Sequence, residues 1–304
     1  MINLQILIPR LKRNFMKKRN KDYNKVPGII LFIGKVFQKT SKRLTTKYAI
    51  YLFTTPMKFN IPKREKQMAQ SAQQYRVLIP EIRKEIQVYS YGYSKKKVLL
   101  VHGWSGRGTQ LYSIADKLLE KGYMTISFDA PAHGKSAGKQ TSMIEFIHSI
   151  KKLDQEYGPF HAAIGHSLGS MALLNAVRRG LQIKTLVTIG SGDIISDILS
   201  VFLKKVELPQ YYSQRIQKLF YLKLNEEMDN FSASKAAQHV AIPTYVVHDT
   251  DDKEVPVSSA YNIRQNLQNG SLLITDKLGH NRILKDTYVV NRIVSFINSN
   301  DHEN

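Results

Sequence analysis

A chain of 304 residues, 42% of them apolar, is long enough for one large α/β domain with a short appendage. It contains no cysteine, which excludes a disulfide framework, thiolate catalysis and zinc–thiolate sites. The net charge of +21 is lopsided: residues 1–97 hold 23 Lys and Arg against 4 Asp and Glu, whereas the rest hold 22 against 20, so the attraction to polyanions belongs to the N-terminal third.

Residues 1–25 are rich in Lys, Arg and Asn and read as disordered or loosely helical. From Pro27 to about Phe53, apolar residues such as Ile29, Ile33, Phe37, Leu44, Tyr48 and Leu52 recur near helical spacing, with Lys35, Lys39, Lys42, Arg43 and Lys47 between them. The spacing predicts two short amphipathic helices. These either pack on the rest of the chain or lie in the plane of an anionic membrane, with residues 1–55 as the contact. Nucleic acid is disfavoured as a partner, because no groove-reading motif accompanies the charge. The best apolar run, residues 26–34, has about half the length a helix needs to cross a bilayer. The basic, apolar, small-residue order of a secretory signal is absent. The expectation is a cytoplasmic protein, with peripheral attachment to the inner membrane face as its extension.

Pro56 and Pro62 close the helical stretch. Strands are expected at 85–91, 97–101, 123–128, 183–189, 242–248 and 271–275, with a further one leading into Gly165. Helices are expected at 109–121, 141–157, 171–179, 258–267 and 286–297. Residues 192–238 break this alternation with helical stretches at 194–206 and 211–224 and no strand. Buried parallel strands alternating with helices imply an α/β fold with a doubly wound, mostly parallel sheet. The expected organisation is a basic, partly helical extension over 1–84, a core over 85–190 and 241–304, and a helical cap over 191–240.

The chemistry centres on residues 163–170, an apolar strand that runs through Gly165-His166-Ser167-Leu168-Gly169 into a helix. The pentapeptide alone is weak, and its strand–turn–helix context makes it a nucleophile elbow. Gly165 and Gly169 leave room for the bend and for close strand–helix packing, where a Cβ would clash. A serine hydroxyl needs a base, a group to hold that base, and donors for an oxyanion. His280, five residues past the strand at 271–275, is the candidate base. Asp252, four residues past His248, is the candidate orienting acid, with Asp249 and Asp251 as alternatives that otherwise cap the helix or tie the loop. The N–H groups of Leu168 and Trp104 are the candidate oxyanion donors.

The chain order Ser167, Asp252, His280 resembles that of the α/β-hydrolase superfamily. So do the His102-Gly103-Trp104 loop, the loop from Asp129 to Ser136, the elbow, the Asp252-x-x-Val-Pro256 loop and Gly279-His280. The resemblance spans about residues 85–298. It implies the α/β-hydrolase fold, a Ser167–His280–Asp252 triad, a cap over residues 190–240, structural roles for His102, His133 and His166, and no metal or organic cofactor. The implied activity is hydrolysis of a small-molecule carboxylic ester or thioester; separately, Phe202, Leu203, Tyr211, Tyr212, Phe220 and Tyr221 of the cap either point to an apolar acyl or aromatic group or form ordinary cap core. Peptidase, amidase and acyltransferase chemistries use similar triads. A second reading, from the basic N-terminal third, is a membrane-surface or partner-binding protein that uses a hydrolase-like scaffold. Two departures stand out. Ala132 sits where glycine is usual, and Asp249 adds a carboxylate expected to raise the pKa of the acid by like-charge repulsion.

Overall fold

A computed structural model describes residues 26–301. The expectation for residues 1–25 lies outside the described residues. The chain begins with two helices, α1 (Gly28–Thr40) and α2 (Lys42–Thr54), as the amphipathic spacing predicts. Ser41 separates them and caps α2, its hydroxyl accepting the Leu44 N–H. A short helix α3 (Lys66–Ser71) leads to β1 (Gln73–Ile79), β2 (Lys84–Tyr91) and β3 (Lys97–Val101). The alternation then runs through α4 (Tyr112–Glu120), β4 (Met124–Asp129), α5 (Met143–Tyr157), β5 (Ala162–His166), α6 (Leu168–Arg178) and β6 (Thr185–Ile189). Three helices follow without a strand: α7 (Ile195–Lys205), α8 (Tyr211–Leu224) and α9 (Ala233–Ala237). The last elements are β7 (Thr244–Asp249), α10 (Ser258–Asn266), β8 (Gly270–Thr275), α11 (Gly279–Arg282) and α12 (Thr287–Ser299), the last capped by Asp286.

The eight strands form one sheet in the order β1-β2-β4-β3-β5-β6-β7-β8. β1 and β2 are antiparallel to their neighbours, and β4 through β8 pair in parallel. β5, β6 and β7 are buried along their whole length, which is why their apolar residues run on rather than alternate. From β3 the chain winds outward in both directions, so the C-terminal ends of β3 and β5 frame a crevice. One sheet face is covered by α5, α6, α9 and α10 over a core that includes Leu99, Phe128, Phe146, Leu173 and Val246. The other is covered by α4 and α12 over Leu100, Ile114, Leu118, Ile164 and Ile293.

Two boundaries differ from the sequence-based partition. The sheet begins at Gln73, not near 85, because β1 pairs with β2 along its whole length. Only Val77 and Ile79 of β1 are buried, and its polar first half hides the strand pattern. The helical insert also divides. Phe231, Ala233, Ala236 and Ala237 join the core beside α6, while Leu199, Leu203, Tyr212 and Ile216 of α7 and α8 form a separate cluster. That cluster includes Ala49 of α2 and has Val26, Ile50, Leu52 and Phe53 packed against it. The rings of Phe53 and Phe202 lie 5.1 Å apart, and Arg215 Nε donates to Thr46 Oγ1 at 3.2 Å. The roof over the sheet edge is thus built from two separate stretches of chain.

Ile79 is fully buried and Leu78 beside it is 54% exposed. Ile79→Ala should therefore lower unfolding stability by about 2–4 kcal/mol in urea titrations, while Leu78→Ala stays within about 0.5 kcal/mol.

Candidate active site

Ser167 stands between β5 and α6, at the cap position of the helix, with φ 52° and ψ −119°, a conformation an L-residue adopts only where its surroundings force it. The forcing contacts come from the two glycines. A Cβ on Gly165 would lie 2.6 Å from the Ser170 backbone, and one on Gly169 would lie 2.4 Å from the Val101 carbonyl oxygen. The steric expectation for both glycines therefore holds. The Ser167 N–H donates to the Ile189 carbonyl at 2.9 Å, which anchors the turn to β6.

His280 and Asp252 come together from loops after β8 and β7. His280 Nδ1 lies 2.6 Å from Asp252 Oδ2. A carboxylate only accepts, so Nδ1 is the donor of this pair. Asp252 Oδ1 accepts the N–H groups of Glu254 and Val255 at 2.8 and 2.9 Å, and His248 Nε2 stands 3.4 Å from Oδ2. Burial works to raise the Asp252 pKa, but the hydrogen bonds from His248 and His280, the His280 charge and the Val255 N–H outweigh it. The net result is a carboxyl held well below the usual range. The expected rise from Asp249 is thereby corrected. Asp249 turns to the histidine loop, accepting from Gly279 N–H at 2.7 Å, Leu278 N–H at 3.1 Å and Thr275 Oγ1 at 2.7 Å. Those bonds also hold its own pKa down against the upward push of burial. Asp251 gives its N–H to Asp249 Oδ1 and has no hydrogen bond to His280.

His166 Nε2 lies 3.0 Å from the His280 carbonyl oxygen, with the two rings 4.6 Å apart. His102 and His133 tie the other loops. His102 Nε2 accepts the Ala130 N–H at 2.9 Å, and His133 Nε2 accepts the Ser105 N–H at 3.0 Å. Burial pushes all three down, His102 to about 4 and His133 and His166 to about 3, so they are neutral near pH 7. Ala132 has φ 65°, the left-handed conformation that makes glycine usual at this place.

The backbone of the His102-Gly103-Trp104 loop runs against the serine, since a Cβ on Gly103 would lie 2.9 Å from Ser167 Cβ. Leu168 opens α6, so no helical acceptor lies four residues before its N–H. The two candidate donors picked from the sequence therefore sit at Leu168, next to Ser167 in the chain, and at Trp104, next to Gly103 in the loop that runs against the serine. The Trp104 ring stands edge-on to His133, with centroids 5.5 Å apart, and lines the cleft above Ser167.

Sequence reasoning missed two acidic residues. Glu65, buried between α2 and α3, accepts from Arg107 Nη1 at 2.9 Å and Thr109 Oγ1 at 2.8 Å. It ties the N-terminal segment to the loop that carries Trp104, and no motif marks it. Glu254 Oε2 stands 3.9 Å from His280 Nε2 at the lip of the site. Its place in the loop of Asp252 was the only available signal.

Ser167 and His280 open into a cleft of about 1940 Å³, roughly twice the largest ordinary small-molecule site. Its walls come from the N-terminal segment (Ile30, Ile50, Phe53) and the insert (Ile198, Phe202, Phe220). Among the described residues no group of three or more His, Cys, Asp and Glu could hold a metal ion. No helix among them is long and apolar enough to cross a membrane.

A family model for the alpha/beta hydrolase fold matches residues 96–220. No curated protein is similar enough in sequence to count as a match. Among solved structures, the Pyrococcus furiosus esterase Pf2001 is 18% identical, with a TM-score of 0.61 and coverage of 81% of this chain and 96% of its own. A membrane phospholipase A, described as a bacterial virulence factor, is 18% identical with a TM-score of 0.61, covering 90% and 98%. An esterase from Exiguobacterium antarcticum is 17% identical with a TM-score of 0.56, covering 71% and 97%. At such identities the likeness establishes the fold.

Glu65→Ala would leave the half-buried Arg107 and the buried Thr109 hydroxyl without their acceptor, at a cost of about 2–4 kcal/mol. It should lower the urea midpoint well beyond the effect of replacing an exposed acid such as Glu120. The three buried histidines set an acid limit. Their folded pKa values lie below the unfolded value of 6.5, so the unfolded chain binds more protons below about pH 6.5. Stability should fall by about 1–2 kcal/mol per histidine between about pH 7 and pH 5, and a urea midpoint unchanged over that range would contradict the assignment.

Proposed function

We propose that this chain, whose fold over the matched residues is that of the α/β hydrolases, is a serine hydrolase of that superfamily, cleaving a carboxylic ester or thioester with a long apolar acyl group. The observation that carries this reading is the 2.6 Å contact between His280 Nδ1 and Asp252 Oδ2, in the cleft that also holds Ser167 on its strained turn. Ser167 Oγ attacks the carbonyl carbon as His280 Nε2 takes its proton. Asp252 stays ionised, keeps the imidazole in the required tautomer and stabilises the imidazolium. The backbone N–H groups of Leu168 and Trp104 receive the oxyanion. His280 then returns the proton to the leaving oxygen or sulfur, and water repeats the sequence on the acyl-Ser167 ester.

The size and apolar walls of the cleft favour a long acyl chain. An esterase, a phospholipase and a thioesterase domain among the structural neighbours agree with ester or thioester chemistry. Against the competing idea of a hydrolase-like scaffold that only binds stands the fact that all three candidate positions are occupied, by Ser167, His280 and Asp252.

A fluorophosphonate probe should label the wild-type chain and leave Ser167→Ala unlabelled. Asp252→Asn should lower kcat on the order of 10³–10⁴-fold with the fold intact, whereas Asp249→Asn should act mainly on stability. Failure of the folded wild type to label would put the scaffold reading first.

A further inference from the structure

The roof helix α1 has two faces, and packing accounts for only one. Its inner face is satisfied. Gly34 backs onto Leu208 and Tyr48, and Phe37 meets the Tyr48 ring edge-on at 5.3 Å. The Tyr48 hydroxyl donates to the Ile30 carbonyl at 3.0 Å. Gln38 Nε2 reaches the Glu207 carbonyl at 3.4 Å, and Lys35 pairs with the Glu207 carboxylate at 2.8 Å. On the outer face stand Ile29, Phe32 and Val36, with exposures of 64%, 63% and 42%. Positions i, i+3 and i+7 fall in one stripe. A helix already anchored by its other side gains nothing in water from an isoleucine and a phenylalanine left open.

Charge narrows what covers the stripe. Residues 26–64 contain eight Lys and Arg and no Asp or Glu. Among the described residues, Lys39, Arg43 and Lys47 form no ion pair, and Lys42 lies 5.9 Å over the Tyr211 ring. The partner is therefore anionic and offers apolar surface as well. A symmetric second copy would set these cations against their own images. A nucleic acid would satisfy the charges and leave the aliphatic stripe unused. An anionic bilayer satisfies both, because a short amphipathic helix buries its apolar face at the headgroup boundary while Lys and Arg meet acidic lipids.

The stripe also adjoins the cleft. Val26, Pro27 and Ile30, at the start of the same helix, line the cleft over Ser167. So do the exposed Met57, Val201 and Leu219 at its mouth.

We propose that the outer face of α1, made by Ile29, Phe32 and Val36, with the cations Lys39 of α1 and Arg43 and Lys47 of α2, docks on an anionic phospholipid bilayer, and that the cleft takes its acyl ester from that leaflet. The docking stands on the exposed stripe and its charge. Only the second clause rests on the hydrolase reading.

The test uses the full chain carrying Ser167→Ala, so that the lipid is not consumed, sedimented with phosphatidylcholine vesicles with and without phosphatidylglycerol. Binding should require phosphatidylglycerol and weaken as salt rises. It should fall about tenfold or more in Ile29→Ser/Phe32→Ser, which removes most of the inserted apolar surface. Tyr288→Ser, an equally exposed aromatic on α12, should bind unchanged. Undiminished binding of the double variant would overturn the proposal, because the charge of the chain would then suffice without the stripe. Absence of binding to phosphatidylglycerol vesicles at low salt would overturn it too. Probe labelling of the chain with Ser167 intact, read in parallel, separates the two ideas. Labelling without vesicle binding refutes the docking face alone, and vesicle binding without labelling refutes the hydrolase reading and leaves the face standing.

Discussion

The site depends on one steric fact, the absence of side chains at Gly165 and Gly169. Without them α6 could not press its first turn against the ends of β3 and β5, and Ser167 would have no reason to hold φ 52°. The strain of that conformation, about 1–3 kcal/mol, is offset by the burial of the α6 face around it. The direction of the Ser167 Cβ is consequently set by the backbone. Everything else that reaches Ser167 comes from loops at the same edge of the sheet.

Those loops are fixed by neutral histidines and buried carboxylates. His102 and His133 each accept a backbone N–H of a facing loop. Asp129 accepts from Gly108 N–H and Lys135 N–H, both at 2.7 Å, and from the Tyr89 hydroxyl. Asp249 does the same for the histidine loop. An imidazole or carboxylate buried in this way carries the hydrogen bonds that irregular backbone would otherwise lack, and it holds the irregular segment in a single geometry. The three neighbouring aspartates after β7 divide by this logic. One holds the loop, one donates from its backbone, and one holds the imidazole.

Much of this was legible before any coordinates. The parallel core, the elbow and the loops that carry Trp104, Asp252 and His280 each leave a local mark: a buried apolar run, a forced glycine, or a polar residue just past a strand. The missed features leave none. β1 begins with Gln73-Gln74-Tyr75-Arg76, and its strand character comes from pairing with β2 rather than from its own residues. Glu65 meets Arg107 and Thr109 across more than forty positions of sequence. The separation of α9 from α7 and α8 depends on which core each helix reaches, and amphipathic spacing does not state the destination. The sequence also gave no sign that α1 and α2 share a core with the insert, because each stretch looks like a complete amphipathic unit.

That shared core has a consequence for synthesis. α2 leaves the ribosome about 170 residues before α8 is complete, which at ordinary elongation rates is roughly 10–30 s. Over that interval Ala49, Leu52 and Phe53 have no cap helices to cover them, and neither face of the pair is yet assigned to the inside. The nascent N-terminal segment is then at its stickiest, and a holdase or an adjacent bilayer would shield it until the insert arrives. The division of the roof between two distant stretches makes assembly of the cleft a late event, after most of the sheet has been made.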